Sequence, residues 1–431
     1  MIYCPQAECA DRDQLRELQW KRLLWSVAHA YANIPAVKQK FATISLEPGD
    51  IRNWEDVQKI PFTVKDEMRE NYPYGLFAAP MSDIVRLHAS SGTTGKPTVV
   101  GYTANDMAVW TECCARVAAM GGVTREDIAQ VTFGYGLFTG GFGMHQGLEK
   151  LGATVLPMSS GNTERQIRLM ADFGSTALVS TPSYALYLAE TAKNMGMTDK
   201  LKLKYGLFGG EGSTEEMRQK IQEGFGIRAT ENYGLSEIVG PGVSGECLEL
   251  RGMHVAEDFF YCEIVDPETG IPLPEGSWGE LIITTLAREG SPMLRYRTRD
   301  ITKIDTTPCS CGRTSARIAK TRGRCDDMLI IRGVNVFPSQ IEAVLMAFPE
   351  IGGHYEITVR REDHMDKLEV MVELADASML DSYAALENLS GSIRAKLKST
   401  ILCDAKITLV EPATLKRFEG KARRVTDLRN S

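Results

Sequence analysis

A large N-terminal α/β domain of layered sheets with a β subdomain, followed by a small α+β C-terminal domain, is the fold class predicted by two patterns in the sequence. Over most of the chain short apolar runs alternate with helical periodicities, and after a polar, glycine-containing junction at residues 321–327 the order of elements changes. With 431 residues, 43% of them apolar, there is enough material for more than one core, which excludes disordered and fibrous classes.

Taken in order, Leu15, Leu18, Leu23, Leu24 and Val27 recur at helical spacing behind Asp11, a favourable cap, and Asn33-Ile34-Pro35 stops the run. An amphipathic helix therefore opens the chain. Apolar runs at 131–133, 153–157 and 177–180 predict buried strands, and the patterns at 163–173 and 183–195 predict helices between them. Near 246 the rhythm turns to strands at 260–265 and 279–285, separated by Asp266-Pro267-Glu268-Thr269-Gly270 and Pro274-Glu275-Gly276, which predicts an antiparallel β unit closing the large domain. Beyond the junction come a strand pair at 328–336, a helix at 339–348, alternating strands at 356–360 and 368–374, a helix at 382–400 and a last strand at 406–410. The domains are accordingly 1–325 and 326–431. No fixed-period repeat or low-complexity tract interrupts them.

Charge narrows the function. The 49 Lys and Arg against 56 Asp and Glu give a net charge of −7, without the basic surplus that a nucleic-acid backbone demands. The first 25 residues scatter charges among their apolar side chains, so neither a signal peptide nor a membrane span is expected. Ten cysteines in a chain this long, with Cys113 and Cys114 adjacent, do not form a secreted disulfide framework. A cytoplasmic protein is expected, with metal binding as the structural use of Cys.

The densest chemical signal is Ser90-Ser91-Gly92-Thr93-Thr94-Gly95-Lys96-Pro97-Thr98, between the apolar stretches 84–87 and 99–100. Glycines admit an anion close to the backbone, hydroxyls and amides donate to its oxygens, and Lys96 adds charge, a composition suited to a polyphosphate. It is not a Walker loop, because Pro97 follows the lysine where Ser or Thr and a helix belong. Cys247, His254, Cys309 and Cys311 offer a ligand set for tetrahedral zinc, although buried free cysteines would read the same way. In the stretch 133–142, Tyr135, Gly136 and Phe142 combine rings with glycine, suiting a flat apolar group laid against backbone as readily as a glycine-rich loop in a core. Asp300, among Arg295, Arg297 and Arg299, reads by itself as a surface ion-pair cluster.

Together with that loop, Tyr233-Gly234-Leu235-Ser236-Glu237, Tyr296-Arg297-Thr298-Arg299-Asp300 and Glu419-Gly420-Lys421-Ala422 resemble, in order, the acyl-adenylate-forming superfamily and within it the phenylacetate–coenzyme A ligase family. The resemblance implies ATP-dependent activation of an aryl acid, phenylacetate or a similar arylacetate, followed by transfer to coenzyme A with release of AMP and pyrophosphate. It implies that residues 90–96 grip the β- and γ-phosphates and that Glu237 helps hold Mg²⁺. Asp300 would bind the ribose, Asn232, Tyr233 and Gly234 the adenine, and Gly210 with Glu211 a second side of the base. Ser236, where the wider superfamily has Thr, keeps a hydroxyl for phosphate. Lys421 would serve the α-phosphate, and Arg324 and Asp326 would mark the hinge of a mobile C-terminal domain. Gly333 would face coenzyme A after the swing, and the four Cys and His residues would hold a closed structural zinc. The resemblance leaves room for a homodimer, for adenylation of another acceptor such as a deazaflavin, and for a module that binds nucleotide without turnover.

Overall fold

The computed structural model describes residues 1–90, 96–332, 334–362 and 365–429. Asp11 caps helix Arg12–Asn33, its side chain accepting from the N–H groups of Asp13 and Gln14 at 2.9 and 3.3 Å. Pro35 then starts a second helix, Pro35–Thr43, in the first-turn position where its missing N–H costs nothing.

Among the described residues nine strands form one sheet in the order Ile304–Asp305, Arg317–Ile318, Met253–Val255, Gly240–Glu246, Arg228–Leu235, Tyr205–Gly209, Ala177–Ser180, Ile128–Val131, Thr154–Pro157. From Arg228–Leu235 onward the pairing is parallel, and helices Thr139–Leu151, Thr163–Asp172, Pro182–Asn194 and Glu215–Phe225 connect these strands. Parallel strands deliver all their carboxyl ends to one edge, where open α/β sheets place ligand sites. The candidate residues at 133–142, 210–211 and 232–237 all lie at or just beyond such ends.

The expected strand at 131–133 is observed at Ile128–Val131, earlier because the buried Gln130 belongs to it. Gln130 Nε2 donates to Gln166 Oε1 at 2.7 Å, so a polar residue sits in the sheet core where a hydrophobic pattern does not show it. The glycine-rich stretch 133–142 is loop only to Phe138; helix Thr139–Leu151 follows, with Gly143 and Gly147 giving Trp110 and Cys114 of helix Ala104–Met120 the space a side chain would take.

Phe260–Val265, Gly279–Thr285 and Tyr296–Thr302 pair antiparallel in a second sheet, the first two with the bounds the sequence predicts. A separate core built from Ile331, Ile341, Leu345, Ile357, Val370, Ile393 and Leu397 underlies the C-terminal domain. Its sheet runs Ala405–Val410, Met365–Leu374, Ile351–Glu362, Val425–Asp427. The last strand is missing from the sequence reading because three residues, Val-Thr-Asp, carry no alternation. It lies parallel to Ile351–Glu362, so the segment holding Lys421 spans the gap between two strands of one sheet.

Candidate active site

Arg86–Ala89 and Val99–Tyr102 pair antiparallel on either side of the phosphate-type segment. Ser91, Gly92, Thr93, Thr94 and Gly95 lie outside the described residues. At the loop's base Ser90 N donates to Thr98 O and Thr98 N to Ser90 Oγ, each at 3.0 Å. Thr98 Oγ1 donates to Glu237 Oε1 at 3.2 Å, and Lys65 Nζ stands 3.1 Å from the same oxygen. The buried Glu237 is thereby brought to the loop by a hydroxyl and a cation. Lys96 Nζ lies 5.8 Å from the Tyr72 ring centroid.

Asn232, Tyr233 and Gly234 lie on strand Arg228–Leu235, and Asn232 Nδ2 donates to Phe208 O at 2.9 Å. Tyr233 OH donates to Asp300 Oδ2 at 2.6 Å, while Arg324 stands 3.5 Å from Asp300 Oδ1 and makes a two-pronged pair with Asp326 at 2.8 and 2.9 Å. Asp300, Tyr233, Arg324 and Asp326 thus form one cluster, far apart in sequence. Burial lifts the Asp300 carboxyl to about 6, against the opposing pull of Arg324 and the Tyr233 hydrogen bond. Ser236 Oγ is 3.2 Å from Thr139 Oγ1, at the start of the helix that carries Phe142.

The C-terminal domain is docked on this edge. Lys421, a solvent-exposed residue, stands at the cleft between the domains with its Nζ 5.2 Å from the Phe138 ring centroid. Desolvation lowers its ammonium from the ordinary value, and Glu211 and Glu237 oppose that shift. Gly210 takes φ +84° beyond strand Tyr205–Gly209, a left-handed turn suited to glycine. Glu211 follows it. The two Glu211 side-chain oxygens accept from Ser183 N and Ala422 N, both at 2.8 Å, which ties the lysine loop to the large domain. Thr181 Oγ1 donates to Gly420 O and Thr163 Oγ1 to Glu419 Oε1, each at 3.1 Å.

At the other side of Phe138, Tyr135 and Phe142 meet edge to face at 5.2 Å, Tyr135 OH is 3.0 Å from His145 Nδ1, and Gly136 is exposed. His88 packs 5.9 Å from the Phe142 ring. Gly333 lies outside the described residues. Sequence reasoning missed Lys65 and His88, since an isolated Lys or His has no motif and reaches the site only through folding; Thr98 and Phe138 stood inside the quoted stretches without a role of their own.

Cys247, His254, Cys309 and Cys311 present ligand atoms within 4.8 Å of one another. The Cys247–Cys309 sulfur separation of 3.8 Å is far beyond a disulfide and equals the edge, about 3.8 Å, of a tetrahedron with metal–sulfur bonds near 2.3 Å. His254 Nε2 to Cys311 Sγ is 3.4 Å, and His254 Nδ1 contacts Ser315 Oγ, leaving Nε2 for a metal. Burial holds the imidazole down to about 4, hence neutral, as a ligand must be. The donor set fits zinc. Beside it the buried pair Arg313–Glu8 fastens the N-terminal segment to the same loop.

A family profile described as AMP-binding enzyme matches residues 20–287, and one described as AMP-binding enzyme C-terminal domain matches 333–429. The chain is 46% identical to a phenylacetate–coenzyme A ligase of Thermus thermophilus, with 100% of each chain covered. It is 48% identical to one of Pseudomonas putida, covering 98% of this chain and 96% of that one. A 2-hydroxyisobutyryl-CoA ligase crystallised with 2-HIB-AMP in the postadenylation state superposes with a TM-score of 0.92 at 28% identity, covering 98% of this chain and 91% of the other. The same ligase with 2-HIB-AMP and CoA in the thioesterification state gives 0.73 at 29% identity, covering 99% and 92%.

The buried acid makes a prediction with a definite sign. Asp300 keeps its proton in the folded protein up to about pH 6 but releases it near pH 3.8 when unfolded, so its contribution to stability is lost as pH rises through 6. Asp300→Asn should therefore stabilise the protein at pH 7, by about 2–3 kcal/mol at most, and make little difference at pH 4. Urea unfolding at the two pH values measures it; an equal effect at both would refute the assignment.

Proposed function

This chain belongs to the phenylacetate–coenzyme A ligase family of AMP-binding enzymes, and from that premise we propose that it activates an arylacetate, with phenylacetate or indoleacetate favoured, and passes the acyl group to coenzyme A. In the first step a carboxylate oxygen attacks the α-phosphorus of ATP, the bond to the bridging oxygen breaks, and pyrophosphate leaves. In the second the coenzyme A thiol, losing its proton, attacks the acyl carbon and AMP leaves.

The observation that carries this reading is Lys421 in the cleft, beside Glu237 and Asp300, in a domain arrangement close to that of an acyl-AMP complex. Charge accumulates on the phosphates as pyrophosphate departs, and an ammonium already positioned there stabilises it without the reorganisation that water would need. The loop 90–96 takes the β- and γ-phosphates, with Ser236 as a further hydroxyl. Glu237 supplies the oxygen that Mg²⁺ prefers, and the ion would neutralise the phosphates. Asp300 accepts from the ribose hydroxyls, and Asn232, Tyr233, Gly234 and Gly210 surround the base. Glu211 stands with Gly210 on a second side of the base while its side chain holds the lysine loop. Tyr135, Gly136 and Phe142 take the aryl ring. Arg324 and Asp326 are the hinge at the 325/326 boundary, and Gly333 meets coenzyme A after the swing. Cys247, His254, Cys309 and Cys311 hold a structural zinc, whose four protein ligands leave no open position for chemistry. Ten free cysteines support a reducing, cytoplasmic setting, and no helix among the described residues is long and apolar enough to cross a membrane.

Acid-dependent ATP–pyrophosphate exchange across phenylacetate, indoleacetate, benzoates, fatty acids and amino acids, followed by addition of coenzyme A, tests the proposal. Exchange with an aryl acid and coenzyme A-dependent AMP release support it. Exchange without that dependence points to another acceptor such as a deazaflavin, and ATP binding without exchange to a non-catalytic module. Lys421→Ala should slow adenylation by about 10²-fold while thioester formation from supplied acyl-adenylate stays within about threefold. Equal losses would refute the two-step division of labour. Cys309→Ser should lower metal content and the unfolding midpoint, with the folded fraction turning over normally; normal stability with lost turnover would make the metal catalytic.

A further inference from the structure

We infer that one face of helix Pro182–Asn194 is the berth that holds the C-terminal domain in the adenylating orientation, with Glu190 and His354 as its positioning pair; this rests on the ligase reading above. Ser183, Leu186 and Glu190 recur at i, i+3 and i+7 and line one stripe of that helix. Each meets the C-terminal domain. Arg424 Nη2 donates to Ser183 Oγ at 3.0 Å. Gly353, at φ +102°, approaches so closely that a Cβ there would stand 2.8 Å from Leu186 Cδ2. His354 Nε2 lies 3.0 and 2.9 Å from the two Glu190 oxygens, and Arg417 Nε adds a contact at 3.8 Å.

The partners come from two regions of the C-terminal domain. Gly353 and His354 lie in strand Ile351–Glu362, whereas Arg417 and Arg424 flank Lys421 on either side. Seating the stripe therefore sets the orientation of the domain and the position of the lysine segment at once. Among the described residues His354 and Arg417 contact Glu190, and its charge also acts on Lys220 of the neighbouring helix Glu215–Phe225, whose Nζ donates to Ile351 O at 2.6 Å. Arg417 is in turn anchored by Glu373 at 2.7 and 2.8 Å. A swing of the domain separates His354 and Arg417 from Glu190 and Arg424 from Ser183, so these contacts stabilise one orientation over the other. Glu190 lies two helical turns from Ser183 and outside the residues assigned to nucleotide, acid or metal, and so acts through position alone.

Glu190→Gln removes the charge and keeps the shape. In the full-length protein, acid-dependent ATP–pyrophosphate exchange should fall about fivefold, while thioester formation from supplied phenylacetyl-adenylate and coenzyme A stays unchanged or quickens and the urea midpoint does not move. His354→Gln should give the same split, and the double variant no more than either single one, because the partners act as a unit. Equal loss in both half-reactions, no change in either, or additive losses would overturn the inference. Absence of exchange in the unaltered protein would instead overturn the ligase reading, and this assignment with it.

Discussion

One carboxylate joins the two domains at the candidate site. Glu211 accepts from the backbone N–H of Ser183 and of Ala422, and the neighbouring bonds from Thr181 to Gly420 and from Thr163 to Glu419 complete the seam. Burial raises the pKa of this carboxyl from its ordinary value, and the two N–H donors and the nearby Arg424 offset that cost. The lysine loop connects strands Ala405–Val410 and Val425–Asp427 and would otherwise have no reason to enter the cleft. Placement of the Lys421 ammonium thus follows from backbone hydrogen bonds to a fixed acid, not from an ion pair of its own.

The same economy governs the rest of the cleft. Glu237 is held by Lys65 and Thr98, and Asp300 by Arg324 and Tyr233, so each acid is positioned by a cation and a hydroxyl. Acids kept partly dry raise the free energy of the folded state at neutral pH, a cost tolerated where acceptors must be ready before a substrate arrives. The parallel strands make this possible by delivering unrelated chain segments to one edge. The Cys and His cluster lies at the other end of the same sheet, around strands Met253–Val255 and Arg317–Ile318, where Cys247 and Cys309 pack with Met120 in a small buried group.

Much of this was legible in the order of residues. Strand Ala177–Ser180 announces itself because all four of its residues are buried, and Asp11 announces helix Arg12–Asn33 because capping is local chemistry. The motifs around Ser90, Tyr233, Asp300 and Lys421 were visible because each is a short run of residue types, and their order along the chain carries the family resemblance. Gln130 misled the strand assignment because its partner, Gln166, is 36 residues away, and strand Val425–Asp427 escaped because its pairing with Ile351–Glu362 is set by the sheet rather than by three residues of pattern.

By itself the sequence determined the class of fold, the order of the motifs around Ser90, Tyr233, Asp300 and Lys421 that carries the family resemblance, and the residue types at 247, 254, 309 and 311, because each depends on local pattern or on residue chemistry that survives without a partner. Only the tertiary structure decided that Glu211 holds the lysine loop, that Lys65 and Thr98 hold Glu237, and that Glu190 faces His354 across the domain seam. These are contacts between segments 28 to 211 residues apart. No short window of sequence encodes them, since packing of two domains chooses which side chains meet.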